Sequence, residues 1–275
     1  MRKTATSGKR ESGDVRFGFG RNWQAYLRTL DETKLQAAED ELRLQLGGDL
    51  SGRTFLDIGS GSGIHALAAF RLGAARLVSF DYDPHSVDCT RQMHARAGSP
   101  THWQVLQGSV LDAEFMASLG TFDVVYSWGV LHHTGAMWEA VAAALGRCGG
   151  ADSRLLIGLY HKKPWLTPAV THIKRAYSAG GPVRRAALLG GYMAATAVYA
   201  TARGRLRQLL GTTPRRGMNA WHDLVDWVGG YPFEAATPAE VRAFVEPRGF
   251  RLVASETFTS FAAVNTFHFA RLSGA

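Results

Sequence analysis

From residue 54 onward, short apolar runs alternate with amphipathic stretches. The runs TFLDI (54–58), RLVSF (76–80), WQVL (103–106), FDVVYS (122–127) and LLIGLY (155–160) predict strands. The stretches between them, 65–72, 85–97, 112–119 and 136–147, predict helices. Short apolar strands separated by helices predict a parallel sheet covered on both faces. Upstream, 22–46 predicts one helix, with Tyr26, Leu27, Leu30, Leu35, Leu42 and Leu46 among charges and a stop at Gly47-Gly48. After Tyr160 the alternation lapses for about 75 residues, longer than an ordinary βα connection. It resumes with a predicted helix over 238–248, for which Thr237 is the expected N-cap and Pro238 the first position. FRLVASET (250–257) and NTFHFAR (265–271) predict two closing strands.

The chain has 275 residues, 46% hydrophobic and 20% charged, which fits one large domain carrying an insertion and excludes wholesale disorder. Its two cysteines, Cys89 and Cys148, exclude a disulfide scaffold and cannot form a zinc cluster alone. No metal site is expected. The polar opening lacks an apolar core of the length a secretory signal needs, so the expected location is the cytoplasm.

Charge changes the picture of the long interruption. The formal net charge is +8, yet 160–217 alone carries eleven Lys and Arg and no acid, so 8 − 11 leaves −3 for everything else. A segment of one sign faces an anionic partner or is well solvated. Inside it, 186–202 has no charge at all, and Leu188, Tyr192, Ala195, Tyr199, Ala202, Leu206 and Leu209 fall on one face of a helix. The run is too short and too rich in Ala, Gly and Thr to span a membrane, so an amphipathic lid helix is expected. Such a helix could pack on the domain, receive a lipophilic acceptor, or rest peripherally on an anionic membrane.

The most informative stretch is Phe55-Leu56-Asp57-Ile58-Gly59-Ser60-Gly61-Ser62-Gly63: an apolar strand, an acid, three alternating glycines, then a helix. Glycines allow a tight turn and close approach of a ligand to backbone. A second acid, Asp81, ends the next strand about 20 residues on, where a carboxylate can bind both hydroxyls of a ribose.

With LDIGSGSG, SFDYD, GSVLD and FDVVYSWGVLHH, the stretch from about Phe55 to Arg271 resembles the class I S-adenosylmethionine-dependent methyltransferases. The resemblance implies a Rossmann-like, doubly wound sheet of seven strands with the last antiparallel, an N-terminal helix and a helical lid insertion. It places Gly59, Gly61 and Gly63 at the methionine end of S-adenosylmethionine with Asp57 near its amine. Asp81 would hold the ribose, Tyr82 would lie beside the adenine, and Ser109 and Val110 would touch the adenine rim. Ser127 and Trp128, with Gly129, would run along the cofactor. The implied organisation is a polar tail (1–16), an N-terminal lid and helix (17–52), a cofactor-binding core (53–160), the basic insertion (161–236) and closing elements (237–275).

The tandem His132-His133 falls at the carboxyl end of the fourth strand, where open α/β sheets place ligands. Imidazole can take the proton of a hydroxyl that attacks a sulfonium methyl. The resemblance favours His132 as that base. Phe19, Trp23, His133, Tyr160, Trp221, His222 and Tyr231 are expected to form a lid and substrate wall. RGMNAWHDLVDWVGGYPFE also resembles a bacterial subgroup grouped with ubiquinone-type enzymes. The expected function is therefore methyl transfer to a small-molecule acceptor, at a hydroxyl oxygen, the acceptor being lipophilic or anionic. Two alternatives stand beside it: an RNA methyltransferase using the basic insertion, and a catalytically silent cofactor-binding scaffold. No recognisable RNA-binding module accompanies the basic run, which weighs against nucleic acid.

Overall fold

The computed structural model describes residues 17–202, 225, 227–258 and 263–272. Seven strands form one sheet: β1 (Thr54–Ile58), β2 (Arg76–Asp81), β3 (Trp103–Gln107), β4 (Val124–Trp128), β5 (Arg154–Tyr160), β6 (Phe250–Glu256) and β7 (Val264–Arg271). Their order is β3-β2-β1-β4-β5-β7-β6. The first five are parallel, and β7 runs antiparallel to both β5 and β6. The seven-stranded sheet with its antiparallel last strand is thus present. Strand order reverses between β1 and β4, so a crevice opens there beyond the carboxyl ends of the strands.

Helices α1 (Gly20–Leu27), α2 (Glu32–Leu46), α3 (Ile64–Arg71), α4 (Pro84–Arg96), α5 (Ala113–Ser118), α6 (Met137–Leu145), α7 (Thr167–Ser178), α8 (Pro182–Ala202) and α9 (Pro238–Val245) surround the sheet. They bury its two faces separately. Leu35, Leu42, Ala66 and Met93 from α2, α3 and α4 pack with Phe55, Leu77 and Tyr126 on one side. Met116, Val141 and Val241 from α5, α6 and α9 pack with Leu56, Val78 and Phe267 on the other. Burial on both faces explains why β1 and β5 read as nearly continuous apolar runs.

Local signals set most boundaries. The Thr237 hydroxyl accepts from the Glu240 N–H while the Glu240 carboxylate accepts from the Thr237 N–H, a reciprocal cap that starts α9. Gly47, at φ 70°, ends α2 in the left-handed conformation.

Two expectations need correction. The helix expected over 22–46 is two helices, because Asp31 turns extended (φ −119°, ψ 174°) and its carboxylate accepts from the Lys34 N–H, starting α2 afresh. In α8 the inward residues are Leu188, Leu189, Tyr192 and Thr196, whereas Ala195, Tyr199 and Ala202 face outward. The stripe is rotated because Tyr192 stacks on Trp227 at 4.7 Å and Leu189 packs against Tyr177 and Val228. Leu206 and Leu209, with Trp221 and His222, lie outside the described residues.

Candidate functional site

At the end of β1 the chain turns through Gly59–Gly63 into α3, and packing demands glycine there. A Cβ on Gly59 would collide with the Val130 methyls, and one on Gly63 would stand 2.8 Å from the Thr90 Cα. A Cβ on Gly61 would stand 3.1 Å from the Trp23 indole, so α1 lays a ring directly over the turn. α1 is fixed there by the Gly20 N–H, which donates to the Asp83 carboxylate at 2.9 Å.

Two carboxylates converge on this turn. Asp57 is buried, and its Oδ2 has no hydrogen-bond partner. Burial, and then the nearby Asp81, push its pKa up to about 8. Asp81 accepts from the Gly61 N–H through Oδ2 and from the Asp83 N–H through Oδ1, both at 2.9 Å. Burial still raises it to about 6 against those donors. Each Asp81 oxygen keeps a second lone pair, so the group can still accept two hydroxyls. A buried orphan carboxylate oxygen and a second carboxylate held by the glycine turn suit a ligand with an ammonium at one end and a ribose at the other.

The other expected contacts are distributed unevenly. Tyr82 is 61% exposed beside Asp81. The Ser109 hydroxyl accepts from the Leu111 N–H at 3.2 Å, while Val110 is buried in the core with Phe80 and Met116. Ser127 donates to the Ile58 carbonyl at 3.0 Å, tying β4 to β1 just before the turn. Trp128 is half-buried, and a Cβ on Gly158 would stand 2.9 Å from its indole.

Beyond β4, a 3-10 turn (Leu131–His133) carries the tandem histidines into an aromatic cluster. The His132 ring lies 4.4 Å from both the His133 and the Tyr160 rings. It is fully buried, and neither ring nitrogen has a hydrogen-bond partner. Burial, then electrostatic coupling to the His133 ring and the Lys174 ammonium, holds its pKa well below the usual imidazole range; the Gly158 backbone opposes this without reaching hydrogen-bond geometry. His133 is only half-buried. Its Nδ1 lies 2.7 Å from the Pro232 carbonyl, which can only accept, so Nδ1 carries the proton and Nε2 the lone pair. Burial, outweighing that hydrogen bond, pushes His133 down to about 3, helped by Lys174.

The surrounding wall comes from four parts of the chain. Phe19 meets His133 at 4.9 Å, and Phe233 meets Tyr160 at 5.3 Å. The Tyr231 carbonyl accepts from the Phe17 N–H at 2.9 Å, which joins the N-terminal segment to the end of the insertion. The structure thus brings Phe19, His133, Tyr160 and the Tyr231 backbone together, while Trp23 sits over the glycine turn instead. The site also holds Lys174, which sequence patterning does not single out. This α7 lysine is 1% exposed, donates to the Trp227 carbonyl, and holds its ammonium 4.5 Å from the Trp227 ring and 4.7 Å from the Phe233 ring. In sequence it is one cation in a basic run, and nothing marks it for burial. Among the described residues no cluster of His, Cys, Asp and Glu could hold a metal ion.

Comparison with known proteins gives this geometry its context. Residues 55–149 match a family model described as a methyltransferase domain. The chain is 48% identical over 52 residues to the ribosomal protein L11 methyltransferase of Serratia proteamaculans, covering 19% of this chain and 18% of that protein. It is 38% identical over 71 residues to the protein of that name from Yersinia pseudotuberculosis, covering 26% and 24%. The match therefore spans about a quarter or less of these relatives' own lengths.

Among solved structures, it is similar to the magnesium protoporphyrin IX methyltransferase of Synechocystis PCC 6803 with bound SAH. That likeness has a TM-score of 0.52 at 15% identity and covers 94% of this chain and 90% of the other. A putative sarcosine dimethylglycine methyltransferase of Galdieria sulphuraria is similar with a TM-score of 0.53 at 9% identity, covering 88% and 85%. At these identities the likeness concerns the fold. Residues 55–149 thus match the methyltransferase-domain model, and the chain shares its Rossmann-like fold with these solved methyltransferases.

Proposed function

We propose that the chain transfers a methyl group from S-adenosylmethionine to an oxygen of a small-molecule acceptor, with His133 of the tandem histidines taking the proton that the oxygen loses. The observation that carries this reading is the oriented His133 ring, standing in an aromatic wall at the same sheet edge as the Asp57–Asp81 turn. S-adenosylmethionine supplies an electrophilic methyl carbon and is left as the thioether. Asp57 would hold its ammonium and Asp81 its ribose, with Trp23 closing over the turn. The wall of Phe19, Tyr160 and Phe233 would exclude water and align the acceptor oxygen, the effect from which proximity catalysis draws.

As the new oxygen–carbon bond forms, the acceptor oxygen takes on oxonium character and becomes a strong acid, so a weak base suffices. His132 is the base favoured by the sequence resemblance. Its complete burial without hydrogen bonds makes it a packing ring in this conformation, whereas His133 has a fixed tautomer and partial exposure. His133 is therefore the ring to which we assign the proton. His133→Ala should lower turnover by roughly 10²–10⁴ with S-adenosylmethionine affinity retained, and His132→Ala should act mainly on stability. Because burial keeps the His133 ring neutral, the rate should not rise through its ionisation between pH 6 and 8. A turnover that survives His133→Ala but not His132→Ala would return the role to His132.

The insertion supports a finer reading, an acceptor that is lipophilic or held at an anionic membrane. Trp165, Val183 and Val198 are 78, 82 and 70% exposed, and Arg175 and Arg184 are exposed with no acid anywhere in α7 or α8. Among the described residues no helix is long and apolar enough to cross a membrane, so the contact proposed is peripheral.

A further inference from the structure

The edge of the sheet away from the tandem histidines carries a second concave feature. Arg53 precedes β1, Arg154 opens β5, Arg251 lies near the start of β6 and Arg271 ends β7. The sheet order brings all four to one cavity of about 410 Å³, together with Asp152 and Ala270. Four guanidinium groups and one carboxylate leave a net charge of +3 there. Arginine stays charged at any physiological pH. Among the described residues none of the four forms an ion pair.

Strand register explains the shape. Ala270 of β7 is directly opposite Arg154 of β5 on one side and Arg251 of β6 on the other. Directly opposed residues of antiparallel strands project from the same face. The two arginines therefore rise on either side of a methyl group, which leaves the floor between them low. Two of the guanidinium groups are held by backbone. Arg154 donates through Nη1 to the Leu46 carbonyl, and Arg271 donates through Nη1 to the Cys148 carbonyl at 2.9 Å. Each keeps further N–H donors for a ligand. The positive field reaches the neighbouring strand position: burial first, and Arg154 second, push His268 down to about 4.

Like charges gathered in a concavity repel one another, and an anion with several oxygens relieves that repulsion while matching the planar guanidinium fork. We propose that this cavity binds a multiply charged oxyanion of the diphosphate class, as carried by phosphorylated small molecules. Its place at the opposite edge of the sheet makes it an effector or anchoring site, independent of methyl transfer.

The test is calorimetric titration of the full chain with inorganic pyrophosphate at low and high salt. The expected result is saturable binding at one site, weaker at high salt, and weaker by at least about tenfold in an Arg154→Gln/Arg251→Gln variant. Arg251→Glu alone keeps the test decisive should the double variant fold poorly, because the Arg251 side chain is exposed and makes no hydrogen bond among the described residues. Arg175→Gln/Arg184→Gln should leave pyrophosphate binding unchanged. Absence of saturable binding, or equal weakening in the Arg175/Arg184 variant, would overturn the site. An RNA oligonucleotide that binds far more tightly than pyrophosphate and is lost in the Arg251 variant would overturn the small-anion assignment.

Discussion

The cofactor-side core (53–160) and the basic insertion (161–236) bury helices by different means. In the core, every helix lies on a sheet that is apolar on both faces, and strand period, acid caps and glycine turns agree with one another. In the insertion, α7 and α8 have little sheet to lie on. They are held by a lysine and aromatic rings: Lys174 against Trp227 and Phe233, and Tyr192 on Trp227. α8 then turns Val183 and Val198 outward. The contrast separates a scaffold specified by local rules from a wall specified by a few long-range contacts, and it divides the function the same way. Under the proposed function, cofactor chemistry would belong to the first region, and the second would add Phe233 to an acceptor wall shared with Phe19, His133 and Tyr160.

The sharpest way to break this division is at the glycine turn. Gly63→Ala puts a Cβ 2.8 Å from the Thr90 Cα at a φ of +78°, combining backbone strain with overpacking. A loss of about 2–4 kcal/mol is expected in denaturant unfolding. A change below about 0.5 kcal/mol would show that the α3–α4 contact adapts and that the turn is less constrained than its geometry implies.

A second test uses pH on the cofactor-free protein. Asp57 and Asp81 have folded pKa values of about 8 and about 6, above the ordinary aspartate value of 3.8. The native state then holds protons that the unfolded chain has lost. Stability should be highest below about pH 4, as far as these groups are concerned, and fall as pH rises towards 8. Asp57→Asn should remove most of that slope, on the order of 2 kcal/mol, read as the difference in Tm between pH 5 and pH 8. An unchanged slope would mean that Asp57 is solvated.

The smallest effect belongs to the insertion. Arg175→Gln/Arg184→Gln should weaken sedimentation with anionic vesicles by about 1 kcal/mol per charge and leave neutral vesicles unaffected. Equal behaviour of both vesicle types would leave the outer face of α8 without a lipid partner.

These two regions also differ in how far the sequence can be read. In the core, β1 coincides with the run TFLDI, and in the closing elements Thr237 caps α9 as expected, because period and capping are local properties. The break at Asp31 is not legible in sequence because no Gly or Pro interrupts 22–46, and only the backbone reveals a cap inside a charged stretch. The rotation of α8 depends on Trp227, 35 residues after Tyr192. His133 shows its orientation only through the Pro232 carbonyl, 99 residues away. The four arginines at the far edge are scattered from 53 to 271, and sheet order alone gathers them. What remained hidden is what long-range packing decides.

Binding of S-adenosylmethionine at the Asp57–Asp81 turn can be measured by titration calorimetry of the wild-type chain and Asp81→Ala. One saturable site is expected in the wild type. In the variant a loss of several kcal/mol is expected, since each hydrogen bond to a charged group contributes roughly 1.5–3 kcal/mol, with the circular dichroism spectrum unchanged. Near-wild-type affinity in a folded Asp81→Ala protein would contradict binding at this turn.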